Sequence, residues 1–154
     1  MLTAGSRPFS RSPIFWLAML AGPGVCALLF TLLMAAPVRF EVDVAQWRLW
    51  LWLVVIYPVV EEYLFRGRLQ TWLMDTAWGQ KAVAGLSLAN VVTSLLFSGL
   101  HFFSHPPLWA LMVLFPSLLF GWFRDRHQSV RPAFVLHAWY NFVYFSIFGL
   151  PVSQ

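Results

Sequence analysis

Residues 49–66 read LWLWLVVIYPVVEEYLFR, an uncharged apolar run that leads directly into Glu61, Glu62 and Arg66. Ionisable side chains at the inner end of such a run are costly to place in hydrocarbon. They face a protein interior or a wet cavity and are functional candidates by default. Glu62 and Arg66, four residues apart, share a helix face and can pair. Glu61 leaves the helix on another azimuth and stays available for chemistry. Pro58, three residues earlier, removes a backbone hydrogen bond and predicts a kink beside the carboxylates.

Composition extends this local reading to the whole chain. Of its 154 residues, 60% are hydrophobic, 18% aromatic and 10% charged. A soluble domain carries about 25% charged and about 45–50% apolar residues, so the sequence reads as an all-α, multi-pass membrane protein. The nine Trp and fifteen Phe suit membrane interfaces and lipid-facing surfaces. Arg residues between apolar runs make most of the net charge of +4, which signals topology in a lipid bilayer rather than binding of nucleic acid. The single cysteine, Cys26, lies in an apolar run and reads as a small buried hydrophobe.

About five transmembrane helices are expected. The first covers 14–36, with a bend at Gly22-Pro23-Gly24, and is longer than the roughly 7–15 residues of a signal-peptide core. The second starts near Val44 or Trp47, contains the opening motif and runs toward a turn at Gly79. Residues 82–123 contain no Lys, Arg, Asp or Glu, which is too long for one span of about 20 residues. His105-Pro106-Pro107 divides that run into a third helix, 82–103, and a fourth, 108–123, with Pro116 inside it. A charged loop, 124–131, precedes a fifth helix over 133–149. The amino terminus, the second loop and the fourth loop carry Arg7, Arg11, Arg68, Lys81, Arg124, Arg126 and Arg131. The positive-inside rule then places the amino terminus in the cytoplasm and the carboxyl terminus outside. Residues 1–154 read as one integral domain of a cell (inner) membrane.

Polar residues recur on two of the later helices. Asn90, Ser94, Phe97, Ser98 and His101 fall on or near one face of the third helix, and His137 and Asn141 on one face of the fifth. Counted from Gly79, Glu61 lies 18 residues back and His101 lies 22 forward, a difference of about one helical turn. In a low-dielectric pocket, a carboxylate and an imidazole can share the removal of a proton from water. A second imidazole and an amide can donate hydrogen bonds to a developing oxyanion. This set suits hydrolysis of an amide bond. HExxH is absent, which excludes a zincin helix. Glu and His are competent metal ligands, but their spacing assigns no metal, and a divalent ion stays open. His105 and His127 read as solvated loop residues, Arg124 and Arg126 as topology signals, Asp75 as exposed, and Trp47, Trp50 and Trp52 as an interfacial belt.

The ordered motifs EExxxR (Glu61, Glu62, Arg66), FxxxH (Phe97, His101) and HxxxN (His137, Asn141) resemble the CPBP intramembrane protease family. That family includes the type II CAAX prenyl endopeptidases and the bacterial abortive-infection-like proteins. The resemblance covers about residues 45–150, the motif-bearing core. It implies a glutamate-dependent endopeptidase without a cofactor, in which Glu61 and His101 activate water and His137 with Asn141 form the oxyanion hole. Glu62, Arg66 and Phe97 support the site. Small bacterial members resemble peptidases paired with proteins that carry a carboxyl-terminal sorting helix. The implied partner is therefore a membrane-anchored protein substrate with a carboxyl-terminal transmembrane helix. The competing reading is a non-catalytic membrane scaffold, an immunity or regulatory protein that binds its partner through the same cavity.

Overall fold

The computed structural model describes residues 8–34 and 40–151. Arg7 and Arg39, which flank the first apolar run, lie outside the described residues. Five helices follow in the order expected: α1 (Pro13–Met34), α2 (47–74), α3 (Leu88–His101), α4 (Pro107–His127) and α5 (Arg131–Phe148). Among the described residues, α4 is the one helix both long and apolar enough to cross a membrane, while Pro13–Leu29 and Leu88–His101 are shorter apolar helices.

The chain divides into two compact units, Val59–Val135 and the remainder. In the remainder, α1 and α5 meet at Gly22, where an added Cβ would overlap the ring of Tyr140. The absence of a side chain there lets the phenol reach the main chain and donate to the Ala18 carbonyl at 2.6 Å. Asp43 caps the 3₁₀ turn Val44–Gln46 that leads into α2 by accepting from the Ala45 N–H at 2.9 Å. The backbone of α2 is not uniformly α-helical: Leu51–Ile56 and Tyr63–Gln70 are in π register.

Val59–Val135 contains the second half of α2, then α3 and α4. Residues 82–87 are not the start of α3. They form a two-stranded antiparallel hairpin, β1 (Ala82–Val83) and β2 (Leu86–Ser87), with Val83 opposite Leu86. Ala84 and Gly85 make its turn at φ +52° and +80°, the paired left-handed conformation of a type I′ hairpin. Ser87 then caps α3 by accepting from the Asn90 N–H at 3.0 Å. The hairpin corrects the expected depths. Glu61 lies 13 residues before Met74, where α2 ends, and His101 lies 13 residues after Leu88, where α3 begins. The one-turn offset counted from Gly79 disappears.

Helix α4 is interrupted at Val113. Pro116 has no N–H to return to Met112, and its ring crowds that carbonyl. The same helix continues through 124–127, which the sequence reading assigns to a loop, and ends at Gln128 in a left-handed cap with φ +49°. Arg124 is accordingly buried rather than a free topology charge. Its Nη1 donates to Asp125 Oδ1 at 2.9 Å and its Nη2 to Thr71 Oγ1 at 2.6 Å. His127 stacks on Phe123 with centroids 6.0 Å apart instead of lying in a solvated loop. Asp75 is exposed, as expected.

A buried polar network fixes the register of these helices. Gln70 Nε2 donates to Gly121 O at 3.0 Å and Asp125 Oδ1 at 2.9 Å. Ser87 Oγ donates to Asp125 Oδ2 at 2.5 Å. Asn90 Nδ2 donates to Leu118 O at 2.9 Å while its Oδ1 accepts from Ser94 at 3.0 Å. These bonds are available at one register only, so they specify the packing, while Gln70 Oε1 has no hydrogen-bond partner among the described residues. Gly121 leaves room for the network, because a Cβ there would collide with Asn90 Oδ1 and sit 3.0 Å from Gln70 Oε1. Gly121→Ala is expected to displace Asn90, break its bond with Ser94 and destabilise the protein by about 1–3 kcal/mol. Thermal unfolding in detergent reads this, and an unchanged midpoint would refute the register role of Gly121.

Candidate active site

Glu62 and Arg66 lie where α2 passes from α into π register. Both are completely buried. Arg66 Nη1 is 3.2 Å from Glu62 Oε1, so the pairing read from the sequence is present. The guanidinium also crosses to α4, where Nη2 donates to Ser117 O at 3.0 Å and Ser117 Oγ at 2.6 Å. Its carbon stands 4.7 Å above the ring of Phe97 on α3 and 5.9 Å from that of Phe120 on α4. One side chain of α2 thereby ties three helices together. Ser117 has no place in the sequence reading, and no motif signals it. One turn along, Thr71 Oγ1 donates to the Arg66 carbonyl at 3.0 Å and joins this clamp to the Arg124 network.

Phe97 is the hub of the site. Phe65 meets it edge-on at 5.0 Å, and the His101 ring lies 4.8 Å away one turn further along α3. Helices α2 and α3 run antiparallel, with Gln70 and Asn90 sharing Gly121 as a neighbour and Arg66 lying over Phe97. One further turn along each brings Glu62 and its neighbour Glu61 to the level of His101. Glu61 is partly accessible, unlike Glu62. The adjacent carboxylates occupy different environments, one enclosed in the clamp and one at its margin.

His101 is the last residue of α3 and is half-buried. Its Nδ1 lies 2.8 Å from the Phe97 carbonyl. A carbonyl only accepts, so the neutral ring carries its proton on Nδ1 and its basic lone pair on Nε2. That tautomer suits proton abstraction. His105 follows one turn later, stacked on Trp109 at 4.0 Å and 12°, with its ring 5.6 Å from His101. It is exposed as expected, yet its ring lies against that of His101. Partial burial, and then the neighbouring His101, hold its pKa below the usual imidazole value. The His-Pro-Pro sequence reads as a solvated turn because the Trp109 stack depends on how the chain folds back after it.

His137 and Asn141 belong to the other compact unit. They share a face of α5, as the spacing predicts. His137 is buried. Asn141 Nδ2 donates to Leu53 O in the first π stretch of α2 at 2.9 Å. Among the described residues, no three His, Cys, Asp or Glu side chains gather as candidate metal ligands.

The family model for the type II CAAX prenyl endopeptidase Rce1-like proteins matches residues 43–143. No curated protein and no solved structure matches the chain significantly. The matched segment is nearly two thirds of the sequence and runs from the start of α2 into α5, across all three motifs. The chain belongs to the type II CAAX prenyl endopeptidase Rce1-like family, a family of membrane-embedded proteases.

Proposed function

We propose that the protein is an intramembrane endopeptidase of the glutamic type, cutting a peptide bond in a membrane-anchored protein near a carboxyl-terminal transmembrane helix. The observation that carries the reading is the bond from His101 Nδ1 to the Phe97 carbonyl. It leaves the basic lone pair of the neutral ring on Nε2, in a setting of aromatic rings. Glu61 and His101 take the proton of a water, whose oxygen attacks the scissile carbonyl carbon. His137 donates a hydrogen bond to the oxyanion that forms, and Asn141 stands one turn along α5 with its amide donating to Leu53 O. The tetrahedral adduct collapses as the proton held by the Glu61–His101 pair passes to the leaving amide nitrogen. The carbon–nitrogen bond breaks and a new carboxyl group remains. Glu62 stays with Arg66, because the guanidinium is held in place by that partner and by Ser117.

The two adjacent glutamates should therefore respond differently. Glu61→Gln and His101→Ala are expected to fold and to lose about 10²–10⁴-fold in cleavage rate, the usual contribution of a general acid–base group. The readout is the mass of products from a co-expressed membrane protein with a carboxyl-terminal helix; cleavage at the wild-type rate in both variants would sink the assignment. Glu62→Ala instead leaves Arg66 buried beside an unfilled site and should destabilise the protein by about 3–5 kcal/mol. A thermal melt matching wild type would show that the pair is not structural. Because water activation is assigned to Glu61 and His101, cleavage should survive exhaustive chelation of divalent ions. Loss on chelation, with recovery on adding back a metal, would overturn the glutamic mechanism.

A further inference from the structure

Two helices of the unit outside Val59–Val135 contain an interior proline, and each proline leaves a carbonyl without its usual main-chain donor. In α1, Pro23 cannot return an N–H to Met19, four residues earlier. In α2 the register is π: the Tyr57 N–H donates to Trp52 O, five residues back. The next bond in that register runs from residue 58 to Leu53, and residue 58 is a proline. Where water is scarce, such an orphan carbonyl costs several kcal/mol if nothing replaces the donor.

Helix α5 supplies both replacements. Trp139 Nε1 donates to Met19 O at 2.8 Å, and Asn141 Nδ2 donates to Leu53 O at 2.9 Å. Each side chain meets the carbonyl that its proline abandons. Two coincidences of register on one stretch of α5 are hard to ascribe to generic packing. The Asn side chain suits the task at Leu53, since an Asp of the same shape is an acceptor when ionised and has no N–H to give.

We propose that Asn141 is a positioning residue, standing in for the missing N–H of Pro58 and ordering the turn of α2 from which Glu61 follows three residues later. Helix α5 is then a repair strip for the broken helices α1 and α2 as well as the bearer of His137. The effect on catalysis rests on the reading of Glu61 as the water-activating carboxylate; the donor replacement does not. A distortion of about 1 Å at a reacting group can cost about 10²-fold in rate, so Asn141 can matter greatly without touching substrate.

A cycle of Asn141→Ala, Pro58→Ala and the double variant tests this, because Pro58→Ala returns a main-chain N–H to the helix. Thermal unfolding in detergent and steady-state cleavage are measured on all four proteins. Asn141→Ala is expected to lower the melting temperature by a few degrees and kcat by up to about 10²-fold, with KM nearly unchanged. Adding Pro58→Ala should recover both toward the level of Pro58→Ala alone. If Asn141→Ala gives no folded protein, recovery of folded protein in the double variant is the same result, and its absence overturns the proposal. A wild-type melting temperature in Asn141→Ala, with kcat lost and not recovered, overturns it in favour of direct contact with the oxyanion. If the wild type cleaves nothing, the peptidase reading fails, while the melting-temperature cycle still decides whether Asn141 replaces the Pro58 donor.

Discussion

Burial of the Arg66 guanidinium constrains everything around it. Moving a charge out of water costs several kcal/mol even after relaxation, and a buried pair offsets this only when its geometry and remaining hydrogen bonds are good. Arg66 approaches that condition by drawing on three helices, the carboxylate of Glu62 on α2, the carbonyl and hydroxyl of Ser117 on α4 and the ring face of Phe97 on α3, although its Nε has no hydrogen-bond partner among the described residues. Each partner is useful only at one register of its helix. A one-turn slide of α3 would take Phe97 from under the guanidinium and His101 away from the level of the glutamates. The pair therefore specifies an arrangement more than it adds net stability.

The rest of Val59–Val135 is graded from this clamp toward its two ends. Toward the hairpin, polar contacts close on one another through Thr71, Arg124, Asp125, Gln70, Ser87 and Asn90. That end is crosslinked, and the tight hairpin sets where α3 begins. Toward the other end the contacts become aromatic, through Phe97, His101, His105 and Trp109, and the histidines become progressively more exposed. A crosslinked end and a more accessible imidazole end are what the proposed site would need to hold its reacting groups while admitting water and a peptide.

The parts legible in the sequence follow from local spacing. Five helices, the Glu62–Arg66 pair, the inward stripe of α3 and the shared face of His137 and Asn141 all follow from helical periodicity plus the cost of charge in an apolar run. Less legible was whatever depends on tertiary contact or on departures from the α repeat. Arg124 reads as a topology charge because nothing local reveals that Thr71 and Asp125 surround it. His105 reads as a loop residue because its partner, Trp109, lies beyond two prolines. The hairpin is hidden because Ala84-Gly85 lacks the Asn or Asp that usually marks a type I′ turn. Pro58 does signal a disturbance in α2, but not that it takes the form of a π stretch with a carbonyl open to a side-chain donor.

Adjacency of Glu61 and Glu62 bears directly on the chemistry. A general base must be ionised yet not neutralised by a tight counter-ion, and a buried arginine must have such a counter-ion. One carboxylate cannot meet both demands well. Two in succession can, since neighbouring residues on a helix leave on different azimuths, so one enters the clamp while the other faces the accessible margin. The division gives the buried guanidinium its carboxylate in Glu62, completely enclosed, and leaves Glu61 on the more accessible side of the helix.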